Sequence, residues 1–151
     1  MTTLTTIGYA DATQDALIAA LRKAKVELLA DIRALPLSRR AGFSKNSLKA
    51  AVEEAGIAYV HLKHLGTPKE GRDAARKGDY ATLRRVYEGQ LELPEALAQM
   101  AEIQALAAEK RTCLLCYCGE AEKCHRSLLI EHAFAEYDIL HLHPDIPYQD
   151  R

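Results

Sequence analysis

The sequence predicts an α/β fold, a mainly parallel five-stranded sheet with helices on both faces. Two observations carry this. Short β-branched runs alternate with apolar stripes at helical spacing, and no repeat or low-complexity linker interrupts the alternation. A chain of 151 residues that is 48% hydrophobic is also long enough to bury a core without metal or disulfide staples, so residues 1–151 are read as one domain.

Leu4–Tyr9 reads as a first strand, and the polar Asp11–Gln14 as the cap of a helix bearing Leu17, Ala20, Leu21 and Ala24. Val26–Arg33 is the second strand, followed by a loop rich in Pro, Ser and Gly from Leu35 to Gly42. Ser44 is placed to cap a helix carrying Leu48, Ala51, Val52 and Ala55, with Gly56 as its left-handed terminus. Ile57–Leu62 is the third strand. Gly66 to Gly78 reads as a long loop with at most one short helical turn. Leu83, Val86, Tyr87 and Leu91 mark a helix, and Pro94 opens another, ending near Lys110, whose Ala, Leu and Met positions are assigned to the core. Thr112–Cys118 is the fourth strand, Cys124 to about Tyr137 the last helix, and Ile139–His143 the fifth strand before a tail from Pro144 to Arg151. The expected architecture is three-layered and Rossmann-like.

Several function classes are disfavoured at once. Lys and Arg total 20 against 21 Asp and Glu, a net charge of −1, so there is no global electrostatic footprint for nucleic acid or an anionic membrane. The N-terminal residues show neither a basic nor an apolar signal region, and no apolar run spans a bilayer. Three of the four cysteines crowd between Cys116 and Cys124, which suits reduced thiols in a cytoplasmic compartment better than a secreted disulfide scaffold.

Ligands in such sheets bind beyond the carboxyl ends of the strands. That rule brings Gly8, Tyr9, Asp31, Arg33, His61, Lys63, Cys116 to Cys118, His141 and His143 toward one edge. The centre is Cys116-Tyr-Cys-Gly-Glu-Ala-Glu-Lys-Cys-His-Arg126, leading with Ser127 into a helix whose free N–H groups and dipole favour an anion and lower a thiol pKa. Three readings of this segment stand side by side. Cys116 or Cys124 is a reactive thiolate; or Cys116, Cys118, Cys124 and His125 hold a metal, although C-x-C followed by C-H lacks paired C-x₂-C spacing; or Cys124 forms a disulfide with Cys116 or Cys118. Cys113 is assigned to the core.

Asp31 and Arg33 either pair with each other or serve a ligand and orient His125. Arg39 and Arg40 beside Phe43 are candidates to clamp phosphate while Phe43 stacks on a ring. His61 is a candidate base or ligand. The run Lys69, Arg72, Arg76, Lys77, Arg84 and Arg85, near Tyr80 and Tyr87, could contact a nucleic-acid backbone or simply be exposed helix charge.

Thr6-Ile-Gly-Tyr9, Leu29-Ala-Asp-Ile-Arg33, Pro36-Leu-Ser-Arg39, Gly56-Ile-Ala-Tyr-Val-His-Leu62 and Leu114-Leu-Cys-Tyr117 leading to Cys124-His-Arg-Ser127 together resemble the small bacterial domain-of-unknown-function family 488 over nearly the whole chain. The resemblance implies an α/β domain with signature residues near one sheet edge and no settled activity. It marks Gly8, Asp31, Arg33, Arg39, His61, Cys116, Cys124, His125 and Arg126. Cys118 departs from the pattern, standing where many relatives carry an acid, and Lys63-His-Leu-Gly66 replaces a more usual Pro-Glu-Leu-Gly. The added thiol favours metal or redox chemistry.

Two functional expectations follow. In one, a thiolate at Cys116 or Cys124 acts on a small anionic or nucleotide-like substrate held by Gly8, Tyr9, Arg33, Arg39, His61, Arg126 and Ser127, with Asp31 and His125 handling protons. In the other, the same surface binds a nucleotide, phosphate or nucleic-acid end without turnover. The sequence names no cofactor, partner or oligomeric state.

Overall fold

The computed structural model describes residues 3–144; the sequence segments outside that span, including the tail from 145, lie outside the described residues. Five strands, β1 (Thr3–Gly8), β2 (Leu28–Asp31), β3 (Ala58–His61), β4 (Thr112–Cys116) and β5 (Asp138–Leu142), form one sheet in the order β3-β2-β4-β1-β5. Every pairing is parallel. The expected fold class is thus the observed one.

Parallel strands buried on both faces read as near-continuous apolar runs. β4 fits this pattern, with Thr112-Cys-Leu-Leu-Cys116 buried at every position. Its residues alternate between two cores. Cys113 and Leu115 join Leu17 and Leu21 of α1 (Gln14–Lys23) and Leu48 and Val52 of α2 (Lys45–Glu54). Leu114 and Cys116 join the opposite core, with Leu83, Tyr87 and Leu91 of α4 (Tyr80–Leu91), Ile103 of α5 (Pro94–Glu109) and Leu128 and Leu129 of α6 (His125–Ala133).

The order of strands positions the site. The crossover leaving β1 runs through α1 on one face, while the one leaving β4 runs through α6 on the other. Chains departing to opposite faces from neighbouring strands open a crevice at their carboxyl ends. β1 and β4 are those neighbours, and Gly8 and Cys116 are register partners at their ends.

Several expectations are corrected. The segment from Gly66 to Gly78 is mostly helical: a 3₁₀ turn over Lys63–Leu65 precedes α3 (Lys69–Arg76), whose Ala74 is buried. Lys, Glu, Arg and Ala are good helix formers, and reading their polarity as a loop underweighted propensity. β4 ends at Cys116, so Cys118 lies in the loop beyond and shares no strand face with it. α6 begins at His125 with Cys124 as its N-cap and stops at Ala133, short of Tyr137. Ser44 occupies the N-cap position of α2, yet its hydroxyl caps nothing there and instead bonds the backbone of Ser38. In α5 only Ala96, Ile103 and Ala107 are buried, and Leu97 is 52% exposed, because a surface helix buries one stripe. Thr13 caps α1, Gly56 takes the expected positive φ of 85°, and Pro94 opens α5 as expected.

No helix among the described residues is long and apolar enough to cross a membrane.

Candidate functional site

The residues gathered by the carboxyl-edge rule divide between the two faces of the sheet. On the α1 and α2 face, Asp31 at the end of β2 is fully buried and Arg33 is 6% exposed. Arg33 donates from Nε to Asp31 Oδ1 (2.8 Å) and from Nη2 to Asp31 Oδ2 (2.7 Å), a bidentate pair. Its Nη1 donates to the Tyr9 hydroxyl (3.0 Å) and the Phe43 carbonyl (2.6 Å). Tyr59 adds a hydroxyl to Asp31 Oδ2. Burial pushes the Tyr59 hydroxyl well above its ordinary pKa, and the Asp31 charge adds to this. Burial alone would lower the Arg33 guanidinium, but Asp31 outweighs it and fixes the positive charge.

This arrangement saturates Arg33 inside the protein. Asp31 is its structural partner and makes no hydrogen bond to His125. Phe43 is 1% exposed and stacks on Tyr9 with ring centres 4.5 Å apart, so it offers no open face to a ligand ring. Arg39 is exposed and Arg40 bonds the Ala12 carbonyl. His61 donates from Nε2 to the Arg33 carbonyl at 2.7 Å, tying β3 to the turn that follows β2. His141 sits further back along β5, beside the Thr6 hydroxyl at 2.6 Å.

The thiols occupy the other face. Gly8 makes their position available: a Cβ there would lie 1.7 Å from the Cys118 carbonyl oxygen, so only glycine lets the loop after β4 cross the end of β1. The Tyr117 carbonyl accepts from Ala10 N–H at 2.9 Å and holds the loop there. A 3₁₀ turn over Ala121–Lys123 then returns the chain to Cys124. The result is a Cys116 Sγ to Cys124 Sγ separation of 2.7 Å, with Cys118 in the loop between them, its carbonyl oxygen 3.9 Å from Cys116 Sγ and its thiol facing the Lys123 carbonyl.

Burial separates the three chemically. Cys116 and Cys124 are 1% and 3% exposed, and loss of water pushes both thiols up. Cys118 is only partly buried. Its neighbours' S–H groups donate to it, and the nearby His125 and Arg126 add to the effect, so its thiol is held far below the ordinary value against the opposing effect of burial. Cys118 is thus the most accessible of the three thiols and the one whose surroundings favour the charged form; the sequence reading named Cys116 and Cys124 as the candidate nucleophiles. Cys113, on the far face, is pushed by burial up to about 12.

His125 is oriented by the main chain. Its Nε2–H donates to the Ile32 carbonyl at 2.9 Å, which leaves Nδ1 as an acceptor 3.7 Å from Cys124 Sγ. Its ring meets Tyr87 edge-on at 5.1 Å, and Tyr87 in turn donates to the Leu65 carbonyl. Burial holds the imidazole below its ordinary 6.5. A histidine lowered in this way binds fewer protons folded than unfolded, so its contribution to stability rises with pH up to that ordinary value and is lost below it. Denaturant titrations from about pH 7 to about pH 5 are expected to show a steeper loss of stability for the native protein than for His125→Gln.

Arg126 is the most unusual residue of the site. It is 1% exposed, and its buried Nε and Nη1 find no hydrogen-bond partner. No side chain caps the amino end of α6. The Ser127 hydroxyl is committed to the Ala121 carbonyl and closes the loop rather than facing a ligand. Among the described residues no group of three or more His, Cys, Asp and Glu side chains is arranged to hold a metal ion.

A cleft of about 260 Å³ runs between α4 and α6, lined by Tyr80, Arg84, Cys124, Ser127 and Glu131 among others. A larger one, about 520 Å³, opens at the amino ends of the strands beside Thr3, Glu27 and Arg111, and its lining holds neither a cysteine nor a histidine. Chemistry, not size, locates the site.

The model for the family described as Domain of unknown function DUF488 matches residues 13–133. The chain belongs to the DUF488 family. No curated protein and no solved structure matches it. Within this DUF488 chain the matched span takes in the Asp31–Arg33 pair and all three clustered thiols, and leaves Gly8 and β5 outside. Much of the basic run from Lys69 to Arg85 is engaged within the fold: Lys69 and Arg76 pair with Asp73, Arg84 with Glu131, Arg85 with Glu70, and Arg72 donates to the Thr67 carbonyl.

Sequence reasoning missed three parts of this site. The Tyr59 clamp on Asp31 was signalled by Tyr59 and His61 sharing one face of β3. Tyr87 was read as part of a helical stripe and as a neighbour of the basic run; it is buried in the core, and its packing against His125 leaves no trace in helical spacing. The open valences of Arg126 are a fact of three dimensions.

Proposed function

We propose that this protein is a thiol-dependent enzyme in which Cys118 is the nucleophile and Arg126, with the amino end of α6, holds a small anionic or nucleotide-like substrate. The observation that carries this reading is the buried, unpartnered Arg126 guanidinium beside a cluster of three thiols. Buried guanidinium N–H groups without an acceptor cost about 1–3 kcal/mol, and an anion is the group that satisfies them. An accessible thiolate next to that anion site supplies the nucleophile, and Cys116 and Cys124 stabilise its charge as S–H donors. The cleft between α4 and α6 reaches Cys124 and offers a path for a small molecule.

A second reading rests on Arg126 alone. Its open donors require an anion and no chemistry, which suits a module that binds phosphate or a nucleotide without turnover. The pairing of the basic run argues against an extended nucleic-acid surface.

Competition between iodoacetate and neutral iodoacetamide for Cys118 in the reduced protein, read by peptide mass spectrometry, tests the proposal. Ordinary thiols favour the neutral reagent. Here the anionic one is expected to gain about tenfold in relative rate over its behaviour with a free thiol, the factor ~1.4 kcal/mol of attraction supplies, and Arg126→Gln to remove the gain. Phosphate is expected to raise the melting temperature of the native protein and not of Arg126→Gln. Phosphate stabilisation with an unreactive Cys118 supports the binding module; no preference and no stabilisation overturns both readings.

A further inference from the structure

We propose that Cys118, Cys124 and Cys116 form a thiol relay that reduces small anionic disulfides and ends as a Cys116–Cys124 disulfide. The inference rests on Cys118 being the nucleophile and names the substrate class on which it acts. Its geometric basis is separate: two buried sulfurs sit 2.7 Å apart, and a third, more accessible cysteine lies in the loop that joins them, its carbonyl oxygen 3.9 Å from Cys116 Sγ. A disulfide is about 2.05 Å long, so closing the buried pair needs a shift of only about 0.6 Å. Two thiols whose sole task was to donate to Cys118 would not need each other at that separation.

Each exchange balances. The Cys118 thiolate attacks one sulfur of the substrate, a Cys118–substrate disulfide forms, the substrate S–S bond breaks, and one substrate thiolate leaves and takes a proton from water. Cys124 then loses its proton to His125 Nδ1, which faces it with a free lone pair because Nε2–H is held by the Ile32 carbonyl. The Cys124 sulfur attacks Cys118 Sγ, a Cys118–Cys124 disulfide forms, and the second substrate thiolate leaves with the proton from His125. Finally Cys116 attacks Cys124 Sγ, giving up its proton to water, and Cys118 departs as a thiolate. Cys118 leaves as a thiolate within the field of His125 and Arg126, which remains after the S–H groups of Cys116 and Cys124 are consumed. The sum is one substrate disulfide reduced to two thiols and one protein dithiol oxidised. An external dithiol reductant, by the same exchange, returns Cys116 and Cys124 to thiols and completes a cycle.

Arg126 selects the substrate class. Its charge lies close enough to act on Cys116 and Cys118, so an anionic disulfide is drawn to the nucleophile while a neutral one is not.

The test uses reduced full-length protein and one molar equivalent of dithiobis(nitrobenzoate), an anionic aromatic disulfide whose released thiolate is coloured. The native protein is expected to release two equivalents of coloured thiolate at Cys118-dependent speed, to retain no reagent, and to show Cys116 linked to Cys124 on peptide mapping. Cys124→Ala is expected to stop after one equivalent with the reagent still attached to Cys118. Cys116→Ala is expected to release two and stop at a Cys118–Cys124 link. The native protein alone decides the matter should either variant fail to fold. A stable mixed disulfide on native Cys118, with Cys116 and Cys124 unlinked, overturns the relay and leaves Cys118 as the nucleophile. Fast release from Cys118→Ser overturns that assignment itself, and the relay with it.

Discussion

Asp31→Ala is expected to destabilise the protein by about 3–5 kcal/mol. The substitution removes a carboxylate that accepts two side-chain hydrogen bonds from Arg33 and one from Tyr59, all at a fully buried position. What remains is a guanidinium with one face still bound to Tyr9 and Phe43 and the other facing nothing. Breaking a buried pair from one side costs far more than removing both partners. Asp31→Ala with Arg33→Met should therefore recover part of the loss, and urea denaturation of the two variants measures the difference. Equal destabilisation of single and double variants would mean that the pair contributes through packing alone.

Gly8→Ala carries the second large effect, and it joins fold to chemistry. The added methyl would fall 1.7 Å from the Cys118 carbonyl, a backbone atom that no rotamer change can move aside. The loop must shift, at an overpacking cost of about 1–3 kcal/mol. The shift separates Cys118 from the thiols that stabilise its charge, so its alkylation at mildly acid pH is expected to fall by at least about tenfold, more than a pKa unit of lost stabilisation. Labelling rates and urea midpoints on the same sample separate the two effects. A normal labelling rate in a destabilised protein would break the proposed link between the β1 terminus and the thiolate.

The sheet was legible because parallel strands announce themselves: β4 is buried at every position and apolar from Cys113 to Cys116, and Pro94 opens α5 where its missing N–H is harmless. The carboxyl-edge rule gathered Gly8, Asp31, His61 and Cys116 at one end of the sheet, where the register also places them. It could not assign residues to faces, since which way a terminal side chain turns depends on where the strand ends. Asp31 and Cys116 were grouped on that ground, and they lie in different cores. Cys118 was placed on a strand because Thr112-Cys-Leu-Leu-Cys-Tyr-Cys118 continues the apolar pattern, whereas the crossing over Gly8 ends the ladder two residues earlier. That single boundary decides which thiol is accessible. Arg126 was legible as a cation at a helix start, but its lack of partners depends on every neighbour at once.

The most direct test of the central claim is the pH profile of Cys118 alkylation by neutral iodoacetamide, followed peptide by peptide. Cys118 is predicted to label first and to keep its rate well below neutral pH, while Cys113, Cys116 and Cys124 stay unlabelled until the protein unfolds. A rate at Cys118 that rises only toward the ordinary thiol pKa, near 8.5, would show that the cluster stabilises no thiolate there and would contradict the account.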